Sequence, residues 1–288
     1  MVLDARSATE RLDWFCNVSP PNSARFAVTV LAAHPDDEII GAGVRLSKLS
    51  RVTILLMTNG APRNMQDARA AGFATAEQYA KTRYTETLAA LSVCGISPLQ
   101  VVGLQVPDQE SARHLAWLSR SVAFALEHLA SDIMVTHPYE GGHPDHDAAA
   151  FCAHAASTLL HAAHLRLPNA IIEFTSYHAR DDQIQTGQFR PNGGAVTTLH
   201  LSSREQYLKR KMLACHATQR HVLAQFSVST ESFRLAPIYD FMRPPDPPIY
   251  YDRFDWGLRS TDWGALASDA ICELNLNGSP RPPHEHLR

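Results

Sequence analysis

Two short polar segments carry the residues able to do chemistry in this chain. The first is Ala33-His34-Pro35-Asp36-Asp37-Glu38 and the second is His137-Pro138-Tyr139-Glu140-Gly141-Gly142-His143-Pro144-Asp145-His146-Asp147. The first places four ionisable side chains within five positions. Such a group cannot be buried without partners, and a divalent cation supplies one. His34 and Asp37 are three residues apart, close enough to grip one ion from a strand end and the first helical turn, which leaves Asp36 free for other work. With one histidine of the second segment they would make a His2Asp site with an open coordination position, the catalytic type of zinc site. Gly141-Gly142 lets the backbone pass close to a ligand or metal. Either segment taken alone also reads as a plain turn and helix cap, because Asp at a helix start is routine.

The elements around these segments follow an α/β rhythm. Phe26 to Ala33 is apolar and β-branched and reads as a buried strand, as do 52–58, 99–104, 133–136 and 170–175. Helical patterns lie between them at 39–49, 66–93, 115–129 and 147–164. Alternation of this kind predicts a three-layer sandwich with a mostly parallel sheet. Both polar segments then follow a strand directly, at the C-terminal strand ends where α/β proteins place their sites. Residues 1–24 read as a polar lead-in. A single domain is expected over 25–276, with its core at 26–176 and an irregular extension at 177–276. That extension holds a strand at 195–201, a long helix over 203–226 capped by Ser202 or Ser203, and an aromatic, proline-rich stretch at 239–263. The tail, 277–288, reads as mobile.

Composition limits the function classes. Lys+Arg total 26 against 29 Asp+Glu, a formal net charge of -3, which argues against a general nucleic-acid binder. The only lysines are Lys48, Lys81, Lys209 and Lys211, so covalent amine chemistry is a poor fit. The five cysteines are scattered without a C-x-x-C pair, so neither a disulfide framework nor a Cys-rich zinc site is expected, and a reducing, cytoplasmic setting is the default. The N-terminal segment lacks the apolar stretch of a signal peptide, and no apolar run predicts a transmembrane segment. His114, His128, His154, His161 and His164 fall in or beside helical stretches and read as packing or surface residues. No G-x-S-x-G is present, nor a phosphate-binding glycine loop, and clustered carboxylates would repel phosphate.

The AHPDDE block after the first strand, with THPYEGGHPDHDAA at 136–149, resembles the LmbE-like (PIG-L) N-deacetylase family. The resemblance covers about residues 26–176. Weaker echoes are Thr58-Asn59-Gly60, Arg83-Tyr84-Thr85-Glu86 and Pro107-Asp108. It implies a Rossmann-like sheet and a zinc-dependent hydrolase that removes an N-acetyl group from an amino sugar, often a glucosamine derivative. By that resemblance His34, Asp37 and His146 are the zinc ligands and Asp36 is the general base. His143 steadies the oxyanion as a protonated imidazole and Asp145 orients it. Arg83 and Asp108 match sugar-holding positions. Some members place a tyrosine two residues before the equivalent of His143; that position is Gly141 here, and Tyr139 is the candidate substitute. The segment 209–219 loosely resembles a late helix ending in His-x-x-Gln, which puts His216 and Gln219 near the pocket.

The expected reaction is amide hydrolysis of a small N-acetylated amino sugar or glycoconjugate, giving acetate and a free amine. The nearest alternative is a zinc amidase acting on a larger acyl or conjugate amide. A non-enzymatic regulatory α/β domain would leave the AHPDDE block unexplained. Other divalent metals suit the same ligands, and the sequence is compatible with an oligomer.

Overall fold

The computed structural model describes residues 5–19, 21–181, 183–191 and 194–276. Helix α1 (Ala5–Asn17) leads into β1 (Val28–Ala32), α2 (Asp37–Leu46), β2 (Val52–Pro62), α3 (Gln66–Ala70) and α4 (Ala76–Val93). Next come β3 (Val101–Asp108), α5 (Leu115–His128), β4 (Ile133–Thr136), α6 (Pro144–Ala162) and β5 (Ala170–Phe174). The extension adds a hairpin of β6 (Tyr177–Arg180) and β7 (Gln183–Thr186), then β8 (Thr197–His200), α7 (Ser203–Ala214), α8 (Arg220–Leu223), β9 (Thr230–Leu235) and α9 (Ser260–Glu273).

The main sheet runs β3-β2-β1-β4-β5-β9-β8. Its first five strands are parallel, and β9 and β8 are added antiparallel. Strand residues divide between two cores by the two-residue period of the pleat. Val28, Val30 and Ala32 of β1 join Ile54, Val135 and Phe174 on one face. Leu31 joins Leu55, Met134 and Ile171 on the other, under α5, α6 and α9. This is the expected three-layer α/β sandwich. From β1 the chain winds outward to β2 and β3 on one side and later to β4 and β5 on the other, so the strand order reverses between β1 and β4. The crevice beyond their C-terminal ends is the place such a sheet offers a ligand.

Several elements depart from the sequence expectations. The lead-in is not simply polar: Leu12, Trp14, Phe15 and Cys16 of α1 are buried, and the Phe15 ring packs edge-on against Phe233 of β9, with centroids 5.1 Å apart. The helix expected over 203–226 is capped by Ser202 with Glu205 as foreseen, but stops at Ala214. The following turn is drawn onto α4 instead: Thr218 bonds to Glu86, and the Gln219 amide donates to the Tyr79 hydroxyl at 2.6 Å. Helix α9, which had no counterpart in the sequence reading, docks Trp263, Ala267 and Ala270 in the second core. The tail at 277–288 lies outside the described residues.

Helix α2, which carries Asp37, is fastened by a buried ion pair. Lys209 of α7 donates from Nζ to Ile40 O at 2.8 Å and to Glu231 Oε1 at 3.0 Å. The Glu231 carboxylate also accepts from Val44 N and Arg45 N at 2.8 and 3.0 Å. Gly41 permits the close approach of this helix to the sheet, because a Cβ there would fall 2.1 Å from the Phe174 ring. Breaking a buried pair by removing one partner leaves the other charge uncompensated. Lys209→Met is therefore expected to lower stability by about 3–5 kcal/mol. Lys209→Met with Glu231→Gln is expected to recover part of that loss. Urea unfolding checks both, and equal losses in the single and double variants would refute the charge-pairing account.

Candidate functional site

The two polar segments meet at the reversal point. The loop after β1 is tied to the loop after β4 by Ala33 N, which donates to His137 Nε2 at 3.1 Å. It is tied to β2 by Thr58, whose N and Oγ1 both donate to Ala33 O, at 2.9 and 2.8 Å. The second loop is held by Asp147 in the first turn of α6, whose Oδ1 accepts from Glu140 N and Gly141 N at 3.2 and 3.0 Å. Gly142 is required here, but by protein rather than by ligand: a Cβ would lie 2.0 Å from Tyr177 O.

His34, Asp37 and His146 converge as the resemblance implied. Asp37 Oδ2 lies 3.0 Å from His34 Nδ1 and 3.3 Å from His146 Nε2. All three side chains are buried, and their ligand atoms lie within 4.8 Å of one another. Ligand atoms about 2.0–2.1 Å from a tetrahedral ion sit roughly 3.3 Å apart, so the spacing suits a shared cation. His146 Nε2 is buried without a hydrogen-bond partner, which a metal would satisfy. A second group, His34, Asp108, His143 and Asp145, lies on the Nε2 side of His34. There Asp145 is already engaged, accepting from Gln109 N at 2.6 Å and Ser111 N at 2.9 Å, and His143 Nδ1 accepts from Asp145 N at 3.1 Å. Each group offers an unpartnered ligand atom, His146 Nε2 in the first and Asp108 Oδ1 in the second, so they are two overlapping candidate cation sites that share His34.

The charges explain one another. Burial works against a charged His34, but Asp108 and Asp37 beside it overcome that and hold its pKa well above the ordinary value. Burial pushes against the Asp37 carboxylate too, yet His146, His137 and His34 hold its pKa well below the usual range. Burial pushes Asp36 up to about 7, opposed chiefly by the Arg83 guanidinium. Glu38 is pushed up to about 8, by burial and then by the charge of Asp36. Asp36 adopts φ 143°, a conformation that side-chain-bearing residues rarely hold. Neighbours hold it there: its N–H donates to Glu38 Oε2 at 3.2 Å and its Oδ2 accepts from Arg83 at 2.8 Å.

Some expected roles are relocated by the geometry. Arg83 is buried with its terminal nitrogens on Gly60 O, Pro35 O and Asp36 Oδ2, at 2.6, 3.1 and 2.8 Å, so it clamps Asp36 instead of reaching outward for a sugar. Asp108 Oδ1 lies 3.1 Å from His34 Nε2 and 3.8 Å from His143 Nε2, inside the polar centre. Because Asp145 N donates to His143 Nδ1, the imidazole carries its proton on Nε2 and is neutral; burial and then the His34 charge hold its pKa well below the ordinary value. A protonated His143 is not what this environment favours. The backbone of Asp145 sets the ring, while its carboxylate holds the 109–111 turn.

Tyr139 does not take the missing tyrosine's place. Its hydroxyl donates to Arg243 O at 2.7 Å, and its ring packs among Tyr239, Phe241 and Trp263. The tyrosine beside the metal group is Tyr177, whose ring lies 5.2 Å from His146. Its position just past β5, another strand end, was the available signal in the sequence. His137 was also not singled out; it stacks on His146 at 4.0 Å. His216 is 1% exposed with neither ring nitrogen hydrogen-bonded, and burial, then the Arg83 charge, push its pKa down to about 3. Gln219 is spent on Tyr79.

Residues 29–157, which contain both loops, match the family model described as PIG-L: GlcNAc-PI de-N-acetylase. The core is a PIG-L (LmbE-like) domain. No curated protein sequence matches the chain. Solved structures share the fold of this chain at low identity. A deacetylase of the teicoplanin biosynthesis pathway matches with TM-score 0.56 and 15% identity, over 74% of this chain and 99% of its own. The A40926 pseudoaglycone deacetylase matches with TM-score 0.55 and 14% identity, over 74% and 97%. The N,N'-diacetylchitobiose deacetylase of Pyrococcus horikoshii matches with TM-score 0.51 and 18% identity, over 80% and 92%. Among the described residues, no helix is long and apolar enough to cross a membrane.

The two overlapping clusters give a direct test. After dialysis against zinc, His34→Ala, Asp37→Ala and His146→Ala are each expected to lose most bound metal by elemental analysis, whereas Asp145→Asn and Asp36→Asn keep it. Metal lost from Asp145→Asn but kept by His146→Ala would move the site to the other side of His34.

Proposed function

We propose that this chain is a zinc-dependent N-deacetylase that cleaves the amide of an N-acetylated amino sugar or amino-sugar conjugate, releasing acetate and a free amine. The observation that carries this reading is Asp36: a buried carboxylate adjacent in sequence to the metal-site Asp37, yet committed to Arg83 instead of to the metal-site histidines. The PIG-L domain and the deacetylase neighbours support the amide and the sugar class.

His34, Asp37 and His146 would hold the metal. When bound, it supplies Lewis acidity at the acyl carbonyl and lowers the pKa of a neighbouring water. Asp36 then acts as general base, taking the proton of the attacking water. A carboxyl poised at about 7 can both accept that proton and give it up again. Oxygen adds to the carbonyl carbon, and negative charge builds on the carbonyl oxygen. His143 Nε2–H donates a hydrogen bond to that oxygen as a neutral imidazole, aligned by Asp145 N. The carbon–nitrogen bond breaks as Asp36 passes its proton to the departing amine. Asp108, inside the polar centre with its Oδ1 free of hydrogen bonds, is the candidate acceptor for a sugar hydroxyl.

The test is an amine-release screen of zinc-loaded protein over N-acetyl amino sugars and their conjugates. Release of acetate in equal amount is expected, and metal-replete protein inert across the set would sink the proposal. Release only from larger acyl amides would favour an amidase instead. Asp36→Asn is expected to retain metal and lose turnover by roughly 10²–10⁴-fold, the usual weight of a general base. Arg83→Gln tests the clamp through pH. Arg83 favours the ionised form of Asp36, so removing it raises the carboxyl pKa, and more alkaline solution is needed to ionise the base. The acidic limb of the rate profile should move up by roughly 1–3 units. A limb that stays in place would detach Asp36 from it.

A further inference from the structure

The polar centre is buried on every side chain described above, so what borders it decides what can approach. Four partly buried rings do so, and they form a continuous ladder. Trp256 lies 4.6 Å from the His143 ring. Phe254 stacks on Trp256 at 4.5 Å with planes 10° apart. Tyr250 follows Phe254 at 5.1 Å, and Tyr177 follows Tyr250 at 5.7 Å. Tyr177 then meets His146 at 5.2 Å, and His146 lies 5.4 Å from His143, which closes the circuit. A ring of aromatic side chains thus runs from one site imidazole to the other, partly exposed where the site imidazoles are buried.

The collar is held in place. Tyr250 N donates to Gly141 O at 2.8 Å, which joins the strap bearing three of the rings to the second site loop. Arg190 NH2 donates to Pro247 O at 3.0 Å, while its NH1 reaches Glu140 O at 3.4 Å, so one guanidinium spans strap and loop. Ile249 of the strap packs over Gly141.

The carboxylates that contact the circuit's histidines, Asp37 and Asp108, are buried, whereas Phe254 and Tyr250 are partly exposed. Phe254 and Tyr250 are one ring removed from the histidines, so a group touching them extends outward from the sugar. Phe254 has no polar atom and can recognise only apolar surface, and stacked rings favour a flat partner. On the deacetylase reading, we infer that this collar is the subsite for a flat, apolar aglycone, and that the preferred substrate is an N-acetyl amino sugar bearing one. Phe254 and Tyr250 are then specificity-determining residues.

Calorimetric binding to zinc-loaded full-length chain carrying Asp36→Asn tests this without turnover, using phenyl and methyl N-acetyl-β-D-glucosaminides. The phenyl ligand is expected to bind at least tenfold more tightly. Phe254→Leu and Tyr250→Leu, added singly, should remove most of that difference while leaving the methyl ligand within about twofold. A thermal melt and a metal assay identify any variant that is merely misfolded, and the two variants act independently. Equal affinity of the two ligands, binding of neither, or equal loss for both in the folded variants would overturn the inference. The outcomes also separate the two readings. A phenyl preference that depends on the collar, in a protein releasing no acetate, would sustain the collar and sink the deacetylase. Acetate release with no phenyl preference would do the reverse.

Discussion

Carboxylate excess in a dry place is the constraint on which this structure turns. Asp36, Asp37, Glu38, Asp108 and Asp145 are all buried around the ends of β1, β3 and β4, and the Arg83 guanidinium lies within ion-pair distance of Asp36 and Asp108. Left to itself such a group disfavours folding, because each buried charge needs a partner. The chain answers in three ways. Glu38 is pushed toward its neutral form. The Asp145 carboxylate accepts hydrogen bonds from the backbone N–H groups of Gln109 and Ser111. Asp37 and Asp108 draw positive charge onto His34. A divalent cation among His34, Asp37 and His146 would take over that last duty, so metal affinity and fold stability rest on one electrostatic problem.

The core of this arrangement was legible because its signals are local. Apolar runs of strand length fixed β1, β4 and β5 to within a few residues, and a polar block directly after a strand is informative wherever strands are parallel. Spacing within His34 to Asp37, and within His143 to Asp147, then brought the right types together. What spacing could not give was direction. Arg83 was read as facing a sugar, but its helix α4 turns it inward, onto Gly60 O, Pro35 O and Asp36. Tyr139 sits in the right loop, yet its hydroxyl is satisfied by Arg243 O, on a segment about a hundred residues away in sequence.

The extension resisted for a different reason. Strand β9 is buried on both faces and carries Glu231 on one and Arg234 on the other, so no apolar pattern marks it. Those charges are tolerable only because of distant partners: Lys209 for Glu231, and Glu173 with Glu140 for Arg234. Glu140 lies in the second site loop, and through it Arg234 ties the antiparallel edge of the sheet to that loop. The proline-rich strap is similar. Its order comes from Arg190 and Gly141, not from any periodicity of its own.

Asp36 and Asp37 show how far environment can separate two identical neighbours. They share a peptide bond, yet one carboxyl is driven up to about 7 and the other well below its ordinary range. The separation begins in the backbone. A φ of 143° at Asp36 breaks the regular course between strand and helix, so the two side chains leave in different directions. Asp37 opens α2 with its carboxylate among three imidazoles, where cation binding is favoured. Asp36 turns toward Arg83, where a proton can come and go. Groups whose environments drive their pKa values apart are those able to divide acid–base work between them. Relaxing the strain at Asp36 would remove that division, and this gives a physical reason for Arg83 and Glu38 to hold an unfavourable backbone angle in place.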